Sequence, residues 1–289
     1  MANKFLMLLK ITAAVSLLIF SDLLSQEDSI SWHRSEPEEL LNVELLRSTQ
    51  SINLPTSTTL KQGDIEFEIS HRFIPTIRSG SKELWGFDGP VNMRLALGFA
   101  VTDDLLIALG RSNLDDNLDF SFKYNPIQIR SDFLPALISL KGGLAWNGSV
   151  PNRSGGHHQN FQYYGQLIIN TLIEKKLGIG IVPSYLYNSS YYYPNEDDQY
   201  SFTLGNYLSY YIDDVWGLLF EWNPVVTGYR IKNNPVAFGF ELNTGGHFFK
   251  IILTNSDMLN PSQFLAGSRS SFNNGEWHIG FNITRLLRF

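Results

Sequence analysis

The chain has 289 residues, no cysteine, a formal net charge of -6, 13% aromatic residues and only 17% charged residues. The absence of cysteine excludes disulfides, thiolate metal sites, cysteine nucleophiles and lipid attachment through an N-terminal cysteine. The acidic balance argues against nucleic acid as a partner, and the mean hydropathy of -0.10 is too polar for a helical membrane bundle. A wall that is apolar outside and polar inside would give such an average.

The N-terminus has the pattern of an export signal. Lys4 precedes an apolar stretch over Phe5–Phe20, and small residues follow it. The stretch is short for a membrane-spanning helix, and Lys10 interrupts it. We therefore predict a signal peptide over residues 1–25, with an uncleaved membrane anchor as the alternative.

Residues 26–59 are predicted to form a periplasmic segment with one short helix. Ser35 and Glu38 fit a capping box, and Pro37 is tolerated in a first helical turn. Apolar residues then recur on one side, so a helix is expected over Ser35–Arg47. This helix either packs on or near the rest of the protein, or acts as a plug or as a docking element for a periplasmic partner.

The remaining chain, residues 60–289, alternates apolar and polar side chains with a period of two, which is typical of β-strands. In the first strand, Phe67 and Ile69 alternate with Glu66 and Glu68. The predicted strands are 64–73, 92–101, 105–112, 118–125, 135–146, 160–170, 177–187, 199–211, 215–223, 235–244, 247–255 and 277–289. Their number is about twelve, and single-chain outer-membrane barrels require an even number.

The connections between these strands alternate between long and tight. Barrels of the outer membrane place short turns at the periplasmic rim and longer loops outside. Residues 74–91 are a long connection and 102–104 a tight one, and the alternation fails once, where 113–117 is brief and 126–134 longer. The predicted fold is therefore all-β, an antiparallel transmembrane β-barrel of the bacterial outer membrane, with both termini on the periplasmic side.

The last strand ends on a terminal aromatic residue. Phe281, Ile283, Leu287 and Phe289 share its apolar face. Arg285 lies on the same face and is the charged exception, at a position where it could snorkel to the membrane rim. Such an end resembles the C-terminal signal by which the barrel assembly machinery recognises its substrates. We therefore expect that machinery and outer-membrane lipid as partners.

Stretches of this chain resemble a family of outer-membrane β-barrels from Gram-negative bacteria, the domain of unknown function 5777. The motifs that carry the resemblance are SHRF, LGRS, TGGH and LTNS, in this order, with the closing GEWHIGFNITRLLRF. The resemblance runs from about residue 60 to the end of the chain. It implies an outer-membrane barrel and supplies no activity.

Charged residues on the inward parity define the predicted lumen. They are Glu66, Glu68, Arg72, Arg94, Lys123, Lys141, Glu221, Glu241 and Lys250. Both signs occur on different strands, so the interior is either a structural polar core or a thin path for small polar solutes. Glu66, Glu68 and Arg72 are the best candidates for ion selectivity.

Two alternatives to a structural or channel-like barrel remain open. A lipid-acting enzyme could use His71 and His278, since the first and last strands become neighbours on closure. By parity, however, His71 points to lipid and His278 to the lumen, and the inward Ser70 and Ser112 provide no Ser–His pair facing one way. The other alternative is a scaffold that recruits a periplasmic partner through the Ser35–Arg47 helix. No catalytic residue, metal site or cofactor is predicted.

Overall fold

The computed structural model describes residues 46–129, 131, 135–150, 154–192 and 199–288. The described residues form thirteen strand segments in one antiparallel sheet. The predicted signal peptide and residues 35–45 of the predicted helix lie outside the described residues. The strands are β1 Ile65–Thr76, β2 Val91–Thr102, β3 Leu105–Ser112, β4 Asn117–Ile129, β5 Ala136–Asn147, β6 Phe161–Ile173, β7 Leu177–Tyr187, β8 Tyr200–Tyr211, β9 Trp216–Trp222, β10 Val225–Gly228, β11 Val236–Asn243, β12 His247–Thr254 and β13 His278–Leu287.

The sheet closes on itself into a barrel. β1 pairs with β13, with Ile69 opposite Ile283, so the first and last strands are neighbours as predicted. β9 and β10 pair with β8 one after the other, and Pro224, which has no N–H for the ladder, lies in the gap between them. β9 and β10 therefore act as one strand of the wall. The predicted barrel of twelve antiparallel strands is confirmed.

Side chains alternate between the two faces of the wall. Along β4, Leu118, Phe120 and Phe122 are exposed, whereas Asp119 and Ser121 are buried inside. The same alternation on the other strands surrounds the barrel with large apolar side chains. A continuous apolar surface of this extent requires hydrocarbon around it.

The two ends of the barrel differ in the length of their connections. One end carries the connections 77–90, 113–116, 148–160, 188–199, 229–235 and 255–277. The other end carries the turns 103–104, 174–176, 212–215 and 244–246, and β4 and β5 follow each other in the chain at this end. Short turns identify the second end as periplasmic. The exception in the alternation persists, since 113–116 is brief although it lies at the extracellular end.

Helical structure in the described residues is confined to short pieces. They are the 3-10 turns Ile77–Gly86, Leu114–Asp116, His158–Asn160 and Ser190–Tyr192, and the helix α1 Pro261–Phe264. Among the residues described, no helix is both long and apolar enough to cross a membrane.

Two stretches of chain fill the interior of the barrel. One is residues 46–59, which we term the lumen segment, and the other is residues 255–268, which we term the lumen loop. The sequence predicts residues 46–59 to be part of a periplasmic segment, whereas the structure places them among the inward side chains of the wall. The physical reason is that the charged groups of the wall satisfy the main chain of these residues.

Candidate functional site in the barrel lumen

The nine charged residues predicted for the lumen occupy inward-facing positions. Eight of them are buried, and Lys141 is half-buried. One group of charges pairs within the wall, because Arg94 lies 2.8 Å from Asp119 and 3.4 Å from Glu68. Most of the others take their partners from the lumen segment.

The lumen segment is a tight turn whose two arms lie side by side. Gln50 and Pro55 form an isolated antiparallel bridge, and the N–H of Ser51 donates to the carbonyl oxygen of Leu54 at 2.9 Å. This turn leaves many main-chain N–H and C=O groups without partners inside the segment itself. Buried main-chain groups need hydrogen bonds, so the wall must supply them.

Both ends of the lumen segment lie beside periplasmic turns. At the upstream end, the Arg47 guanidinium lies 4.0 Å from the centre of the Tyr211 ring and donates to the Asp213 carbonyl oxygen. Just beyond the downstream end, the N–H of Gln62 donates to Asp103 Oδ1 at 2.7 Å. The segment therefore enters and leaves through the same mouth, and it can withdraw without threading through the barrel.

Glu221 binds the tip of the turn. Its Oε2 accepts hydrogen bonds from the main-chain N–H groups of Ile52, Asn53 and Leu54 at 3.1, 2.9 and 2.9 Å. Its Oε1 accepts from Asn53 Nδ2 at 3.2 Å. Successive N–H groups that converge on one carboxylate form an anion-binding nest. Here the wall provides the anion and the segment provides the nest.

Two buried lysines bind the carbonyl groups of the same turn. Lys123 Nζ donates to three main-chain oxygens, and Lys250 Nζ donates to two and to Ser48 Oγ at 2.8 Å. A buried ammonium group requires such partners because its desolvation is costly. The oxygens belong to Thr49 (3.1 Å), Thr56 (3.1 Å) and Thr58 for Lys123, and to Gln50 (2.6 Å) and Ser51 (2.7 Å) for Lys250.

Arg72 and Glu66 add side-chain contacts to this main-chain recognition. Arg72 donates to Asn53 Oδ1 at 2.9 Å and to Asn282 Oδ1 at 2.8 Å. The Thr49 hydroxyl lies 2.8 Å from Glu66 Oε1. Two of the three residues singled out for ion selectivity therefore bind the lumen segment, and the third, Glu68, faces Arg94.

Inward-facing glycines make room for the apolar side chains of the lumen segment. A Cβ atom at Gly205 would lie 2.7 Å from a Leu54 methyl group, and one at Gly239 would lie 3.2 Å from Ile52 Cδ1. Ile52 and Leu54 are fully buried as a result. A third pair of the same kind is formed by Gly178 and Leu46.

Some space remains in the lumen beside the segment. A cavity of about 50 Å³, enough for a few water molecules, is lined by charged residues of β1, β2, β4 and β5. Lys141 is among them, together with Glu66, Glu68, Arg94 and Lys123. A wider cavity of about 450 Å³ lies at the periplasmic end, between the arms of the segment and the last strand.

The lumen loop fills the extracellular end with apolar side chains. Met258, Phe264 and Leu265 are almost completely buried, and they belong to the same apolar cluster as Leu54 of the lumen segment. The cluster continues onto the wall through residues such as Ile168. The two stretches that fill the lumen are therefore packed into one interior core.

Amide side chains hold the lumen loop to the wall. Asn260 Nδ2 donates to Asp119 Oδ2 at 2.8 Å, and Asn92 Nδ2 donates to the Asp257 carbonyl oxygen at 3.0 Å. Asn260 also caps α1, since its side chain accepts from the N–H of Ser262. The loop thus bridges the ends of strands on several sides of the mouth.

A Ser–His pair lies at the extracellular rim beside the lumen loop. His278 Nε2 is 2.9 Å from Ser270 Oγ, and His278 Nδ1 is 3.0 Å from the carbonyl oxygen of Phe73. Because a carbonyl oxygen can only accept, Nδ1 donates to it, and in the neutral imidazole Nε2 accepts from the Ser270 hydroxyl. Ser270 is not among the residues predicted from the sequence, because it lies in a loop where no periodicity shows what its side chain reaches.

The two histidines predicted to lie together are separated in the barrel. His71 is opposite Phe281 in the strand register, with the ring centres 4.5 Å apart, whereas His278 is opposite Thr76. His71 is half-buried, and His278 is buried. Across the residues that the structure covers, no group of three or more His, Cys, Asp or Glu side chains could hold a metal ion.

The residues of the predicted assembly signal lie on the closing strand. Phe281 and Ile283 of β13 are half-buried, as is Leu287 at its end, and Phe289 lies outside the described residues. Arg285 is exposed close to the periplasmic rim, next to the turn 244–246. Recognition of this strand by the assembly machinery stays a prediction.

The sequence matches one protein family over nearly all of the described residues. Residues 46–287 match the family described as membrane bound beta barrel domain, the domain of unknown function 5777. The chain belongs to this family. It is therefore a β-barrel of the bacterial outer membrane, in agreement with its apolar outer face. Comparison with curated proteins gave no significant match.

Solved structures with a similar arrangement of strands include porins, a channel and an enzyme. The NanC porin is 10% identical over 78% of this chain and 100% of its own, with a TM-score of 0.46. An outer-membrane channel from Pseudomonas putida F1 is 12% identical over 80% of this chain and 98% of its own, at 0.48. Outer membrane phospholipase A from Escherichia coli is 10% identical over 77% of this chain and 90% of its own, at 0.42. None of these likenesses bears on what the lumen does.

Proposed function

We propose that this outer-membrane barrel is a channel for small polar solutes that its own lumen segment holds closed. The observation that supports it is how the charges of the lumen are used. Glu221 and Lys123 bind the main chain of the segment, whereas charges in a purely structural core would pair across strands, as Arg94 and Asp119 do. When the segment withdraws and the lumen loop also leaves the extracellular end, these charges become the lining of an aqueous path.

Withdrawal of the segment exchanges its contacts with the wall for contacts with water. Each hydrogen bond between the segment and a charged group of the wall is then lost at a net cost of about 1.5–3 kcal/mol. Ile52 and Leu54 lose their burial altogether, which costs about 1.5–3 kcal/mol for each side chain. Because these hydrogen bonds outnumber the two apolar contacts, the bonds and the burial of Ile52 and Leu54 together set how long the channel stays closed.

Conductance of full-length variants in planar bilayers tests this proposal. The substitutions Ile52→Asp and Leu54→Asp place two carboxylates in apolar pockets next to Glu221, so the segment should be expelled. Phe264→Asp with Leu265→Asp should expel the lumen loop in the same way. We expect rare openings in the wild type, more in either double variant, and the largest steady conductance when all four substitutions are combined.

A charge control accompanies these variants. Ser81→Asp adds a carboxylate at an exposed position in the first extracellular loop and should leave the wild-type behaviour unchanged. Heat-modified migration on gels shows that each barrel is folded. If the fourfold variant is folded and inserted but passes no current, the lumen is a structural core and the channel proposal is wrong.

The Ser270–His278 pair favours a second candidate function, hydrolysis of lipid esters. In such a reaction Ser270 Oγ would attack the ester carbonyl while its proton passes to His278 Nε2, which returns it to the departing alcohol; water would then cleave the acyl-serine. The main-chain N–H groups of Ser270 and Ser271 donate to Ser268 Oγ and Glu276 Oε2, so they do not form an oxyanion hole in this arrangement. The channel is therefore the proposal that the geometry supports better.

A fluorophosphonate probe separates the two candidates. An activated Ser270 should be labelled, and Ser270→Ala should remove both the label and any release of fatty acid from vesicles. Ser271→Ala is the matched control, since Ser271 is the neighbouring serine. Equal labelling of the wild type and Ser270→Ala would exclude this site as a hydrolase.

A further inference from the structure

The lumen segment shows which chemical groups an emptied lumen would hold. Glu221 on β9 and Asn170 on β6 accept hydrogen bonds from main-chain N–H groups, the latter from Ser57 at 2.5 Å. Lys123 on β4 donates to main-chain carbonyl groups, and Asn125 Nδ2 on the same strand donates to the Ser57 carbonyl at 2.7 Å. The wall therefore presents acceptors and donors around one continuous path.

This arrangement matches the chemistry of a peptide backbone. Each peptide bond carries one strong donor and one strong acceptor, and the wall binds both kinds within the ten residues 49–58. A simple inorganic ion would use groups of one sign only. The hydroxyl groups of a neutral sugar also donate and accept, but a sugar has no apolar side chains to fill the pockets of Ile52 and Leu54.

The side-chain pockets add a pattern to this main-chain recognition. Ile52 packs against Leu219, Ala237 and Ile252, whereas Leu54 belongs to the larger core cluster. The residue between them, Asn53, contacts Glu221 and Arg72 through its side chain. The pockets thus take an apolar, a polar and an apolar side chain in succession.

We propose that the lumen, once its own segment has withdrawn, binds short peptides with an apolar–polar–apolar core, and that oligopeptides are the solutes that the channel recognises. The inference deepens the proposed function, and it rests on that function because the lumen segment must withdraw before a peptide can bind. The lumen segment is then a built-in occupant that a peptide from outside replaces. Peptide binding itself needs no conduction, so it can be measured separately.

A binding experiment on the full-length chain tests this inference. The Ile52→Asp, Leu54→Asp variant in detergent frees the site, and the probe is a fluorescent, end-capped peptide with the sequence of residues 49–58. Its matched control carries N-methyl groups on the amides of Asn53 and Leu54, which keep every side chain but remove two donors to Glu221. We expect the methylated peptide to bind at least roughly tenfold more weakly by anisotropy, because two bonds to a charge are lost.

The same binding measurement tests whether Glu221 is the group that recognises the main chain of the peptide. In a variant that also carries Glu221→Ala, the two peptides should bind with similar, weak affinity. The inference is overturned if the unmodified peptide fails to bind the freed site, or if both peptides bind it equally well.

A conductance measurement distinguishes failure of peptide recognition from failure of the channel proposal. In the fourfold variant, the unmodified peptide should interrupt the current, and the methylated peptide at the same concentration should do so at least roughly tenfold less often. A current that both peptides leave equally undisturbed contradicts peptide recognition while the channel stands. Peptide binding without any current contradicts the channel while the recognition site stands.

Discussion

The two stretches that fill the lumen are held by different forces. The lumen segment is bound by charged side chains, with Glu221 and Lys123 directed at its main chain. The lumen loop is bound by amide side chains such as Asn260 and by the burial of Phe264 and Leu265. Both are inside the barrel, but the wall binds the main chain of the first through charged side chains and that of the second through amide side chains.

This difference separates a removable part from a fixed part of the molecule. Burial of large apolar side chains is lost in full when they leave, and each hydrogen bond to a charged group is lost at a net cost of about 1.5–3 kcal/mol. The lumen loop, which buries several large apolar side chains, behaves as part of the core. The lumen segment behaves as a ligand that is attached to the chain, and hydrogen bonds to charged groups hold it together with Ile52 and Leu54.

The largest expected effect concerns the lumen loop. Phe264→Ala removes a fully buried ring and should lower the free energy of unfolding by about 3–5 kcal/mol. Urea unfolding of the refolded protein in vesicles measures it. Phe272→Ala, which truncates an exposed ring in the same connection, should cost much less. Equal effects of the two substitutions would mean that the lumen loop is not part of the core.

The next effect concerns the binding of the lumen segment by Glu221. Glu221→Gln removes the charge and should weaken the hydrogen bonds to the amides of residues 52–54 by about 1.5–3 kcal/mol. Hydrogen exchange of these amides should accelerate at least about tenfold. Glu276 accepts a hydrogen bond from the N–H of Ser271 in an extracellular loop, so Glu276→Gln should leave the exchange of the amides of residues 52–54 unchanged. Unaltered protection in Glu221→Gln would show that the charge does not hold the segment.

The fit between Gly205 and Leu54 gives a smaller effect. Gly205→Ala places a Cβ atom 2.7 Å from a Leu54 methyl group, which should weaken the closed state by about 1–3 kcal/mol. Trypsin cleavage after Arg47 reports how often the segment is out. Leu54→Ala in the same chain should relieve the clash, and Gly165→Ala, where the new Cβ meets no neighbour, should change nothing. Additive effects of the two substitutions at the contact would contradict direct packing.

The smallest effect is a dependence on pH at the extracellular mouth. Burial raises the pKa of Asp115, although the nearby Arg269 opposes the shift. A carboxyl group whose pKa is raised by folding stabilises the protein most at acidic pH and loses that contribution as pH rises through the raised pKa. Asp115→Asn should flatten this part of the pH profile of unfolding, while Asp116→Asn should retain it. An unchanged profile in Asp115→Asn would rule out this group as the cause.

The barrel wall could be predicted from the sequence because its cause is periodic. The alternation of Phe67 and Ile69 with Glu66 and Glu68 shows which face of a strand contacts lipid. The same period of two predicts which charged side chains point into the lumen. The interior contents could not be predicted in this way. Residues 46–59 have no period of two, and their contacts use main-chain atoms that every sequence shares.

Two signals could have pointed to the lumen segment. Inward-facing glycines such as Gly205 and Gly239 occupy positions where a wall side chain would otherwise fill the barrel, so something else must pack there. In addition, Lys123 and Lys141 are cross-strand neighbours of like charge, an arrangement that requires a further partner inside. Neither signal shows which part of the chain provides that partner. The Ser270–His278 contact likewise depends on loop geometry that no pattern encodes.

A redox lock tests the central claim most directly, because the natural chain has no cysteine. Leu54→Cys and Gly205→Cys place two thiols across the contact between the lumen segment and the wall, in a chain that also carries Phe264→Asp and Leu265→Asp. We predict little current while the disulfide is intact and stepwise conductance after a reductant is added. In the single-cysteine variants, the reductant should not change the current. A current that is the same before and after reduction would contradict the claim that the lumen segment closes a channel.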